Sequence, residues 1–179
     1  MGPLITREHR DRVQSYLGRA GDEGAAVVVD GSATATADGL REGFFTGCSL
    51  IDHVEPGMAV YDDEIFGPVL SVVRVASYDD ALALVNANPY GNGVALFSRD
   101  GGAARRFERD VNVGMIGINV PIPVPVAWHS FGGWKASLFG DAPIYGPEGI
   151  RFYTQPKVVT TRWPDPASSV IDLGFPTNG

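Results

Sequence analysis

The chain has 179 residues, enough for one domain with a real core. Hydrophobic residues make up 44% and charged residues 20%, the composition of an ordinary globular protein rather than a disordered one. Fourteen basic against twenty-one acidic residues leave a net charge of −7, which argues against nucleic acid and anionic membrane as partners. One cysteine, Cys48, excludes an internal disulfide and a multi-cysteine metal site. His9, His53 and His129 show no metal-ligand spacing, so no metal site is expected. No apolar run reaches the length of a membrane span, and the polar stretch Thr6 to Gln14 does not read as a signal peptide; a cytoplasmic location is the expectation.

Residues 1–24 read as an opening helix capped by Thr6. Val13, Tyr16 and Leu17 share its inner face, and Gly18, Gly21 and Gly24 are expected to end it. Ala25 to Val29 is a short apolar strand, residues 30–43 a loop, and residues 44–54 an extended segment. Cys48 lies in that segment. A reactive thiol needs a base or a positive environment, and His53 is too far along an extended chain to supply one. Cys48 is therefore expected to be a small buried side chain. The stretch Glu64-Ile65-Phe66-Gly67-Pro68 comes next. Gly67 and Pro68 break regular structure and leave Glu64 and Phe66 in a loop at a strand edge, where they are either a surface carboxylate and a core ring or a presented pair.

Val69 to Val75 reads as a buried strand. Ser77-Tyr78-Asp79-Asp80 resembles a capping box with Asp80 in place of Glu or Gln, and a helix follows until Asn88-Pro89-Tyr90-Gly91. Val94 to Phe97 is a strand, Asp100 caps a helix with Ala103, Ala104 and Phe107 on one face, and Val113 to Val120 is a third strand. Strand, helix, strand, helix, strand with short links predicts an α/β fold with parallel strands, and ligands in such folds sit at the carboxyl ends of the strands. Pro121 to Val126, with a proline at every second position, cannot be a central strand; it is a linker or a fixed wall beside a pocket. Phe131-Gly132-Gly133-Trp134-Lys135 lacks the spacing of a phosphate loop. A short helical turn at 146–153, an extended arm at 155–163 and a loose tail at 164–179 close the chain.

Several of these motifs, in this order, resemble the C-terminal half of the aldehyde dehydrogenase superfamily: Asp63 to Val69, Asn88 to Gly91, the run from Gly117 to Asn119, and Phe131 to Lys135. Asn119 to Val126, Lys135 to Asp141 and Lys157 to Trp163 are similar to its CoA-acylating methylmalonate-semialdehyde dehydrogenase branch. The resemblance implies that 1–163 is a C-terminal catalytic and oligomerisation portion with a parallel three-layer sheet core and a C-terminal oligomerisation strand. It implies oxidation of methylmalonate or malonate semialdehyde with NAD, and transfer of the acyl group to CoA with loss of carbon dioxide. Glu64 then corresponds to the glutamate that holds the nicotinamide ribose. Phe66 corresponds to the aromatic beside the nicotinamide, and Phe131 with 122–126 to the lining of the aldehyde entrance. The arm 155–163 corresponds to the segment that joins subunits into a homo-oligomer. Cys48 does not correspond to the family nucleophile, so no catalytic residue is assigned, and a fragment inactive by itself is expected. The alternatives are a non-catalytic self-associating domain and an independent thiol enzyme that uses Cys48.

Overall fold

The computed structural model describes residues 2–32, 43–163 and 165. It divides into two compact units, Met1–Ala83 and Leu84–Gly179.

In the first unit Thr6 caps α1 (Arg7–Asp22), its hydroxyl accepting from the His9 amide at 3.1 Å. The apolar spacing becomes a buried face: Val13, Tyr16, Leu17 and Ala20 pack with Ile51, Val54, Val60 and Ile65. The helix runs through Gly18 and Gly21 instead of ending at them. Glycine is tolerated inside a helix that packing holds, and the chain turns away only near Gly24, at φ +100°.

Strands β1 (Ala26–Val29), β2 (Ser49–Asp52) and β3 (Val69–Ser71) form one sheet in that order. β1 runs antiparallel to β2, and β2 runs parallel to β3. The four-residue helix α2 (Ala59–Asp62) lies between β2 and β3 in sequence. The Glu23 carboxylate accepts from the Ala59 amide at its start, at 2.7 Å.

Three expectations are corrected here. The sheet is mixed, not all parallel: β1 runs antiparallel to β2, while β3 joins β2 in parallel through a crossover whose helix is too short to read from periodicity. The strand expected at 69–75 is three residues long, and Leu70 is exposed. Cys48 is exposed, because the inward positions of the strand that follows are Ser49 and Ile51. Ser49 takes the buried place, and its hydroxyl accepts from the Gly31 amide at 3.0 Å.

The division between the units falls within α3 (Tyr78–Ala87). Ser77 accepts from the Asp80 amide at 3.1 Å and donates to the Asp80 carboxylate at 2.7 Å. Half of the capping box forms; the short Asp80 side chain bonds the serine hydroxyl, and no bond from it to the Ser77 amide is present among the described residues.

In the second unit β5 (Gly93–Leu96) and β6 (Met115–Ile118) pair in parallel around α4 (Gly101–Asp110). Asp100 caps that helix, accepting from the Gly102 and Ala103 amides at 2.7 and 3.2 Å. Phe107, Val111, Val113 and Met115 supply buried apolar surface. β4 (Tyr90–Gly91) pairs antiparallel with β7 (Trp134–Lys135), and α5 (Gly146–Tyr153) follows. The arm 155–163 is exposed throughout and holds no strand. The tail, 164–179, lies outside the described residues except for Asp165. No described helix is long and apolar enough to cross a membrane.

Arg74 donates through two nitrogens to both carboxylate oxygens of Asp52, at 2.7–3.1 Å. Together with the His53 amide, this arginine lowers the Asp52 carboxyl from 3.8 to about 2. A carboxyl with a depressed folded value adds stability above its unfolded value, and that stability is lost as pH falls from about 3.8 to about 2. Asp52→Asn is therefore expected to lower the urea midpoint at pH 6, with the gap from the parent chain closing as pH approaches 2. Circular dichroism melts across this window measure it; a gap independent of pH would contradict the assignment.

Candidate functional site

The loop 63–67 is gripped along one stripe of α1. His9, Val13 and Tyr16, spaced at i, i+4 and i+7, lie on the same helix face. The Tyr16 hydroxyl donates to the Asp63 carboxylate at 2.8 Å and accepts from Arg12 at 3.2 Å. The guanidinium groups of Arg12 and Arg19 lie 5.9 and 5.4 Å from the centre of its ring. A Cβ added at Gly67 would stand 2.7 Å from both methyl groups of Val13, so only glycine lets the loop come this close. The His9 ring Nε2 lies 2.9 Å from the Phe66 carbonyl oxygen, and since a carbonyl only accepts, Nε2–H donates.

Between these anchors Ile65 is buried, and its neighbours on either side point outward. Phe66 is 70% exposed and stands at φ +56°, a left-handed conformation that costs a residue with a Cβ roughly 1–2 kcal/mol. Glu64 is exposed and makes no hydrogen bond or ion pair with a described residue. Of the two readings open for this pair, the structure corrects the core ring: Phe66 is presented, not packed. A carboxylate with all its acceptor sites free suits the two hydroxyls of a ribose, and a bare aromatic face beside it suits a flat heterocycle.

Phe131 belongs to the second unit. It is half-buried and stacks on Tyr145 with ring centres 4.6 Å apart and planes 4° from parallel. Its segment is held by close backbone approaches, with Gly114 lying against the Gly132 carbonyl. The Lys135 ammonium donates to the Asn86 and Asn88 carbonyls at the end of α3, both at 3.0 Å. Upstream, Asn119 stands at φ +57°, and its side chain closes on Ser98 from both sides, accepting from the amide at 2.9 Å and donating to the carbonyl at 3.0 Å. The chain folds back there. The Gly117 position lies 2.5 Å, measured from an added Cβ, from the Val120 carbonyl, and Pro123 covers Gly93 and Gly117. Ile122, Val124 and Val126 are left exposed, as a wall would require.

Glu64 and Phe66 thus share one loop, while Phe131 and 122–126 lie in the other unit. His9, Asn119 and Lys135 do work that the sequence did not announce. His9 lies four residues before Val13 on the buried stripe, a signal for proximity to the core, but its partner is 57 residues away.

Pairing, crossovers and caps define an α/β protein with mixed sheets. The model of the aldehyde dehydrogenase family matches residues 1–159, and the chain belongs to that family. It is 55% identical over 178 residues to the malonate-semialdehyde dehydrogenase of Pseudomonas aeruginosa, covering 99% of this chain and 36% of that one. The solved methylmalonate-semialdehyde dehydrogenase of Oceanimonas doudoroffii superposes with a TM-score of 0.87 at 55% identity, over 92% of this chain and 34% of that one. A Sinorhizobium meliloti structure, assigned to the same activity and complexed with NAD, gives 0.87 at 50% identity, over 92% and 33%. The chain spans about a third of the length of the curated relatives it matches.

Two predictions follow from the packing of this loop and of the Lys135 segment. Gly67→Ala is expected to destabilise by roughly 1–3 kcal/mol in urea unfolding, because Val13 is buried and stiff at χ1. Adding Val13→Ala should recover part of that loss, and strict additivity of the two changes would contradict the contact. Lys135→Met is expected to cost about 2 kcal/mol, by leaving two carbonyls without a charged donor; a change within 0.5 kcal/mol, roughly the range of ordinary surface substitutions, would contradict it.

Proposed function

We propose that these residues form the C-terminal catalytic and oligomerisation portion of an NAD-dependent, CoA-acylating dehydrogenase of methylmalonate or malonate semialdehyde. The observation that carries the reading is the loop 63–67, in which a partner-free carboxylate and a bare ring are presented from a rigidly held backbone. The names of the relatives at 50–55% identity supply the substrate class. Glu64 accepts from the nicotinamide ribose hydroxyls, Phe66 limits the position of the nicotinamide, and Phe131 with 122–126 lines the semialdehyde entrance. NAD, when bound, accepts the hydride; CoA takes the acyl group, and the carboxylate leaves as carbon dioxide. The small-molecule substrates and the homo-oligomer belong to the same proposal.

A polypeptide of these 179 residues by itself is expected to form no NADH from the semialdehyde, NAD and CoA, because two ribose hydrogen bonds do not replace a whole cofactor domain. Millimolar affinity for NAD or weaker is the expectation.

The second reading, a non-catalytic self-associating domain, draws on the arm 155–163, where Val158 and Trp163 are each 91% exposed. A chimera separates the two. The corresponding stretch of the Pseudomonas aeruginosa relative is replaced by this chain, and NADH formation is followed by absorbance with malonate semialdehyde, NAD and CoA. Turnover within about tenfold of the parent enzyme is the expected result. A folded, oligomeric chimera without turnover would favour the second reading. A rate from the 179 residues alone that Cys48→Ser abolishes would instead make this chain a thiol enzyme in its own right.

A further inference from the structure

Phe66 combines three properties that do not coexist without cause: a left-handed backbone, a side chain mostly in solvent, and neighbours fixed on both sides. Burial of Ile65 and the contact of Gly67 with Val13 fix where the loop passes over α1. Neither fixes the rotation of the Phe66 peptide, because neither touches its polar atoms. Its carbonyl has one side-chain partner among the described residues, the His9 ring.

We propose that His9 is a positioning residue: its Nε2–H bond to the Phe66 carbonyl holds that peptide in the left-handed conformation and so aims the Phe66 ring at the cofactor. The inference rests on the reading of Glu64 and Phe66 given above. His9 sits in the first turn of α1, its amide tied to the Thr6 cap, so its ring is delivered from a fixed backbone point. The helix cap and the ring's aim are thereby linked through two bonds of one residue. His9 need not touch NAD for this, and its effect is separable from that of Glu64, which has no bond to α1.

Two measurements distinguish failure of this inference from failure of the reading beneath it. In the 179-residue chain, chymotryptic nicking between Phe66 and Gly67, located by mass spectrometry, reports opening of the loop, and nicking after Tyr153 serves as the internal control. His9→Ala is expected to speed the first about three- to tenfold and leave the second unchanged, the span a single hydrogen bond allows. His9→Gln, which keeps a donor of similar reach, should restore the slow rate. In the chimera, His9→Ala is expected to raise KM for NAD by a similar factor with kcat within twofold, again rescued by His9→Gln. Unchanged nicking overturns the inference whatever NAD does. Faster nicking with unchanged KM overturns the link from His9 to the cofactor. If Glu64→Gln and Phe66→Ala then also leave KM unchanged, the cofactor reading of the loop itself has failed.

Discussion

The packing of α1 against the loop 63–67 is the constraint on which the candidate site depends. The loop lies on a helix face whose side chains are chosen for different tasks: an aliphatic knob that demands glycine opposite it, a tyrosine that bonds an aspartate, and a histidine that bonds a carbonyl. Val13 and Tyr16 belong to the core of the first unit, so the stability of that core and the shape of the loop are one property. A site on a loop gains precision when its neighbours on a rigid element lock it. The cost is a strained residue, Phe66, in the left-handed conformation.

The second unit holds its segments with side chains that bond backbone groups. Parallel strands β5 and β6 end at Leu96 and Ile118, and just beyond them the Asn119 side chain bonds both the amide and the carbonyl of Ser98. Asparagine tolerates the left-handed conformation that the reversal requires. Glycines at 93 and 117 make room for Pro123, so the proline-rich segment is laid over the sheet with its larger apolar side chains outward. Lys135 then ties the following segment to the end of α3.

Local signals were legible in the sequence. Thr6 and Asp100 cap their helices because their side-chain oxygens reach free amides one turn on, and that rule is readable at a distance of three residues. The inner face of α1 was readable from spacing alone. Pairing was less so. β3 is three residues long and joins β2 through a one-turn helix, which leaves neither a period nor a cap to recognise. Cys48 shows the limit of composition: free cysteine is usually buried, but the pleat of the strand gives the inward place to Ser49. The roles proposed for Glu64, Phe66 and Phe131 come from resemblance. Residues alone showed only that a Gly-Pro break would free the first two from regular structure, and the bond from the His9 ring to Phe66, spanning 57 residues, follows from tertiary geometry that no local pattern encodes.

The central claim is that Glu64 is free because it awaits a ribose. The most direct measurement is a calorimetric titration of NAD into the chimera and into its Glu64→Gln variant. The account predicts a dissociation constant raised about tenfold or more by the substitution, since the lost bonds are charge-assisted, with the fold unchanged by circular dichroism. Equal affinity within twofold would contradict it and leave Glu64 as one more solvated carboxylate on an acidic surface.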